Sequence, residues 1–85
     1  MDIYYSSEFK RRFKKLPMEI KLKALEKENI FSKNPLDSKL KTHKLFGKLS
    51  GRWAFSIDRK NRIIFSFKNK KVVHFLSVGS HDIYK

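Results

Sequence analysis

Apolar and polar positions alternate with two different periods along this chain, helical in the first part and strand-like in the last. Phe9, Phe13 and Leu16 recur at i, i+4 and i+7, which places them on one helix face, and Ser6 or Ser7 stands before them as a candidate N-cap. Met18, Leu22 and Leu25 repeat the spacing after Pro17, a residue suited to the first position of a helix, and Ile30 and Phe31 extend that apolar side. The pattern predicts a helical hairpin ended by Asn34-Pro35. A short extended piece at residues 2–5 precedes it, and a polar, glycine-punctuated loop with at most short strand pieces runs from Leu36 to Gly51.

After Gly51 the period becomes two. Trp53, Phe55 and Ile57 alternate with Arg52, Ala54, Ser56 and Asp58, and Ile63, Phe65 and Phe67 alternate with Arg62, Ile64, Ser66 and Lys68. A three-residue loop, Arg59-Lys60-Asn61, keeps the faces consistent by pairing Ile57 with Ile63, Phe55 with Phe65 and Trp53 with Phe67. A two-residue turn at Asn69-Lys70 then sets Val72, His74 and Leu76 opposite Phe67, Phe65 and Ile63. The expected apolar face therefore includes Val72, His74, Leu76 and Val78, so His74 is excluded from any catalytic role. The other face is expected to mix Arg52, Ser56, Asp58, Arg62, Ser66, Lys68 and Lys71 with bare Ile64, Val73 and Phe75.

Composition narrows the function. Eighty-five residues make one domain, residues 1–85, with no room for a large enclosed cavity. The formal charge of +13 implies a polyanionic partner, and residues 29–85 carry 13 basic side chains against only Asp37, Asp58 and Asp82. The absence of a long apolar run or signal-type N-terminus predicts a cytoplasmic protein with no membrane partner. Without Cys, and with three scattered His, the chain offers neither thiolate chemistry nor a convincing metal cage, so no cofactor is expected.

The mixed sheet face has what single-stranded RNA needs, cations for phosphates and apolar area for bases. Cutting RNA without a metal requires a base for the 2′-hydroxyl proton, an acid for the leaving oxygen and a cation for the phosphorane. His43 and His81 lie in polar, flexible contexts, and an imidazole can give or take a proton, so either could move the proton; the alternative for each is a solvated surface histidine. Arg62, fixed in a central strand, is the best transition-state cation. Arg52, Ser56, Arg59, Lys41, Lys44 and Lys48 are candidate RNA contacts, and Lys10 to Lys15 form a solvated helix face or a surface for an acidic partner.

Three segments, THKLFGKLSGRW, DRKNRIIF and GSHD, occur in this order after a helical hairpin ending in KNP. Together they make the chain resemble the RelE/StbE family of type II toxins. The resemblance implies an α+β fold, a helical hairpin on one face of a mostly antiparallel sheet. It also implies metal-independent cleavage of mRNA through the 2′-hydroxyl, often in the ribosomal A site, and inhibition by a cognate antitoxin. By position, His43, Arg62 and His81 match family histidine, arginine and C-terminal histidine positions, and Tyr84 resembles the terminal aromatic. Tyr84 follows His81 by three residues where the family pattern has four. Lys39 stands where some members keep a Glu, and Ser56 where others keep Lys or His. Two further readings stay open: a toxin of this fold with another target, as in gyrase-poisoning relatives, and a non-catalytic RNA-binding module.

Overall fold

The computed structural model describes residues 1–80 and Ile83. Helices α1 (Ser7–Lys14) and α2 (Met18–Lys33) pack on a sheet built from β1 (Asp2–Tyr5), β2 (His43–Lys44), β3 (Trp53–Ser56), β4 (Arg62–Phe67) and β5 (Val72–Gly79). The strand order is β1-β5-β4-β3-β2, with β1 parallel to β5 and the other three pairs antiparallel. This is the α+β arrangement expected from the pattern.

Ser6 caps α1: its Oγ accepts from the Phe9 N–H and donates to the Leu76 carbonyl, which ties the helix start to β5. Pro17 sits one position earlier than expected, as the N-cap of α2, where its carbonyl accepts from the Ile20 and Lys21 N–H groups. The core side of α2 also differs from expectation. Ala24 and Phe31 are buried with Ile20 against the core, whereas Met18, Leu22 and Leu25 are 66%, 60% and 54% exposed. At roughly 3.6 residues per turn, Phe31 lies on nearly the opposite side of the helix from Met18, so only one stripe can face the sheet. Phe31 decides which: its ring stacks on Phe55 at 4.9 Å and meets Phe65 and Phe75 edge-on at 4.8 and 5.3 Å.

Both hairpin registers depart from expectation, for one reason. Asp58 Oδ1 accepts from the N–H groups of Lys60 and Asn61, and Asn69 Oδ1 accepts from those of Lys71 and Val72. Each Asx residue thus opens a turn that the backbone closes from Ile57 N–H to Asn61 O and from Lys68 N–H to Val72 O. In the first hairpin Phe55 pairs with Ile63 and Trp53 with Phe65, a slip of two residues that leaves every side chain on its expected face. In the second, Phe67 pairs with Val73 and Phe65 with Phe75, a slip of one residue that reverses the face. Val73 and Phe75 are therefore core, at 1% and 0% exposure, and His74 faces the side away from the helices. A bulge at Leu76 restores the parity, so Ser77 pairs with Ile64 on the outer face and Val78 with Ile63 in the core. The Ser6 hydroxyl bonds the carbonyl of that bulged residue.

The segment between α2 and β3 is more ordered than a loop. It holds one-turn 3-10 helices at Ser38–Leu40 and Gly47–Leu49, and it buries Leu40 completely.

Candidate nucleic-acid interface

The outer sheet face is organised in rows across the strands. One row runs His43, Ala54, Ile64, Ser77, and the next, toward the β3–β4 turn, runs Ser56, Arg62, Gly79. Two residues along a strand separate the rows by about 7 Å. The register thus places His43 and Arg62 on one face, two strands apart, and brings the chain leaving Gly79 to Arg62. His81 and Tyr84 lie outside the described residues.

Arg62 is half-buried and committed at one nitrogen. Its Nη1 donates to the carbonyls of Asp58, Arg59 and Asn61, at 2.6, 3.0 and 3.2 Å, which laces the turn to the strand. Among the described residues no acceptor meets Nε or Nη2, and that pair remains as a two-pronged donor for an oxyanion. Around it lies a cleft of about 240 Å³ lined by Lys27, Lys39, Lys41, Arg59 and Arg62, with Asp58 as the one acid. Burial pushes the Asp58 carboxyl up, but hydrogen bonds from Asn61 and Lys60 and the charge of Lys23 outweigh it and hold the group below the usual carboxylate range. A carboxylate this well bonded is a poor proton acceptor, so Asp58 orders the turn and does not replace the missing family carboxylate.

Lys41 adopts a left-handed conformation, φ 53°, which a residue with a Cβ rarely takes. Its carbonyl lies 3.0 Å from His43 Nδ1. A carbonyl only accepts, so Nδ1 carries the proton, and in the neutral ring Nε2 is left with a free lone pair on an exposed side chain. Lys27 Nζ donates to the Lys39 carbonyl at 3.3 Å, so α2 braces the segment that carries Lys39, Lys41 and His43.

The other candidates divide. Lys41 and Arg59 join Arg62 in the cleft; Ser56 lines it too but is only 8% exposed. Arg52 lies on the outer face further along the sheet, and exposed Lys48 lies on the adjacent 3-10 turn. Lys44 pairs with Trp53 on the helix side, its Nζ 5.4 Å from the indole centre, and so does not share the face of His43. The expected bare apolar surface is absent from the described outer face: Val73 and Phe75 are core, and Ile64 is buried in a cavity wall with Leu49, Leu76 and Ile83. The exposed aromatics lie away from Arg62: Phe46, at 81% exposure, is in the segment before β3, and Tyr4, edge-on to His74 at 5.8 Å, is on the outer face at the β1 edge of the sheet. Sequence reading missed Lys27, whose helical position gave no sign that it reaches the sheet end. Lys39 was visible only as a departure from the family pattern.

No protein-family model matches the chain, and no curated protein matches it. Solved structures do. The YoeB/ParE toxin from Agrobacterium tumefaciens superposes with a TM-score of 0.80 at 13% identity, over 95% of this chain and 99% of that one. A chain of the DinJ–YafQ toxin–antitoxin complex from E. coli gives 0.70 at 25% identity, over 96% and 93%. The heterotetrameric YoeB–YefM toxin–antitoxin complex from Staphylococcus aureus gives 0.77 at 19%, over 95% and 97%. These neighbours are RelE/ParE-superfamily toxins of type II toxin–antitoxin systems, and this chain has their fold.

Proposed function

We propose that this chain is the toxin of a type II toxin–antitoxin pair and cuts mRNA as an endoribonuclease, acting in the ribosomal A site and held inactive by a cognate antitoxin. The observation that carries the proposal is the cleft at Arg62, where four further cations surround a guanidinium with two nitrogens that meet no acceptor among the described residues, on the same sheet face as His43. A 2′-oxygen attacks the adjacent phosphorus, a 2′,3′-cyclic phosphate forms, and the 5′-oxygen leaves with a proton. Arg62 stabilises the phosphorane, and Lys41 and Arg59 hold neighbouring phosphates. His43, with Nε2 unprotonated, takes the 2′-proton, and His81 supplies the proton to the leaving oxygen, with Tyr84 against a base. No step is assigned to a metal or cofactor, because side chains suffice for both proton transfers.

Brief expression in bacteria followed by primer extension on translated messages tests this. Growth arrest with defined new 5′ ends is expected, and co-expression of the antitoxin should prevent it. Arrest with intact RNA would move the chain to a toxin of this fold with another target. RNA binding without arrest would make it a binding module.

A further inference from the structure

A second cavity on the outer face, of about 320 Å³, lies beyond the Arg62 cleft and has a different character. Leu49, Ile64, Leu76 and Ile83 give it apolar walls, and Ser77, Arg52 and Glu8 supply the polar groups. Ser77 is only 5% exposed, and among the described residues its Oγ has no hydrogen-bond partner. Buried hydroxyls are normally satisfied, so an orphan at a cavity wall marks a place where something else completes the bonding. The first N–H groups of α1, on Ser7 and Glu8, have no carbonyl within the helix to bond and lie at the same cavity. Glu8 keeps a half-exposed carboxylate, with Arg12 Nε 3.5 Å from Oε2.

We propose that this cavity receives one nucleobase of the RNA, guanine in preference to the others; the inference rests on the RNA reading above. The apolar walls suit the faces of a planar ring, and the volume stands at the low end for ligand pockets, about 300 Å³, which fits a single ring system better than an extended molecule. A bare phosphate would leave those walls unmatched. Guanine alone presents two acceptors on one edge, for the Arg52 and α1 donors, and two adjacent donors on another, for the Glu8 carboxylate. The register supplies the connection to chemistry: Ser77 stands one row, about 7 Å, from Arg62, so the base belongs to a nucleotide next to the phosphate that Arg62 holds.

Single-stranded oligoribonucleotides with 2′-O-methyl groups, which cannot be cut by 2′-oxygen attack, separate binding from cleavage. A uracil strand carrying one guanine, adenine, cytosine or abasic residue is measured by fluorescence anisotropy. The full chain should favour the guanine strand over the abasic one by about tenfold, the scale of one good base-edge pair. Leu49→Trp, which fills the cavity, should erase that preference while the abasic strand binds as before. Ser77→Ala should shrink it about threefold or more, and because it removes an unsatisfied hydroxyl its unfolding midpoint should not fall. A preference below twofold in the wild-type chain, or one that survives in both variants, overturns the pocket. If unmodified message is still cut with that result, only the pocket fails; if the chain neither binds nor cuts RNA, the nuclease reading fails with it.

Discussion

Replacing Arg62 with alanine should damage the chain in two separable ways, because the guanidinium has two separate jobs. Nη1 carries two protons and meets three carbonyls, so it contributes the equivalent of two charge-assisted hydrogen bonds. Such bonds contribute about 1.5–3 kcal/mol each when buried, but the turn is open to water, and a combined loss of about 1–3 kcal/mol is the reasonable scale. Urea unfolding of Arg62→Ala should show that loss. Arg62→Lys should recover part of it, since one ammonium can reach one or two of the carbonyls. The second job is read by single-turnover cleavage at a temperature where circular dichroism shows every variant folded. Removing one transition-state donor typically costs about 10²–10³ in rate, so Arg62→Ala should fall by at least that much. Lysine keeps charge without the two-pronged geometry and should lie between. A folded Arg62→Ala variant that cuts at the wild-type rate refutes the transition-state role. An unchanged unfolding midpoint refutes the lacing of the turn.

Four further outcomes follow from the same contacts. His43→Gln should keep the fold and lower the cleavage rate by about 10²–10⁴ if Nε2 takes the 2′-proton; an unaltered rate moves that role elsewhere. Ser6→Ala removes both an N-cap and the donor to the bulged Leu76 carbonyl, and should cost about 1–3 kcal/mol in urea unfolding. Asp58, held by its turn bonds below the ordinary carboxylate range, adds stability that is present above that range and lost as pH falls through its lower folded value; Asp58→Asn keeps the turn acceptor and should flatten the acid limb of a stability–pH curve. The Tyr5 phenol is pushed up to about 12 by burial and by the Glu28 carboxylate it donates to, so its contribution is intact below pH 10.0 and is lost as pH rises toward 12; Tyr5→Phe should flatten the alkaline limb.

The fold was legible wherever a period was long or a cap was local. The Phe9–Phe13 face of α1, the helix end at Asn34 and the two faces of β3 and β4 follow from spacing alone, whereas Leu16, expected on the same helix face, packs against the core from beyond the helix end at Lys14. The failures share a cause: they needed a decision between two patterns of equal local quality. Met18–Leu22–Leu25 and Ile20–Ala24–Phe31 are both apolar stripes on α2, and only the packing of Phe31 among three other phenylalanines selects the second. The hairpin turns could have been placed by rule. Asp58 and Asn69 each precede polar residues whose N–H groups they can accept, and reading both as turn openers gives both registers at once. The bulge at Leu76 could not be placed this way, because the Ser6 hydroxyl that bonds its carbonyl comes from seventy residues earlier.

That one-residue slip changes the chemistry more than the fold. With Val73 and Phe75 in the core, the described residues of the outer face offer no broad aromatic platform near Arg62 for bases to lie on. What it offers is a cationic cleft in one row and a walled cavity with an orphan hydroxyl in the next. An RNA strand on this face would be held by its phosphates at the end of the sheet, with at most one base enclosed one row away. Affinity should then fall steeply with salt and depend weakly on sequence, except at a single nucleotide. A platform of exposed rings would instead have given stacking that tolerates any base at several successive positions. Salt dependence and base dependence, measured on the same set of uncuttable strands, distinguish these two surfaces.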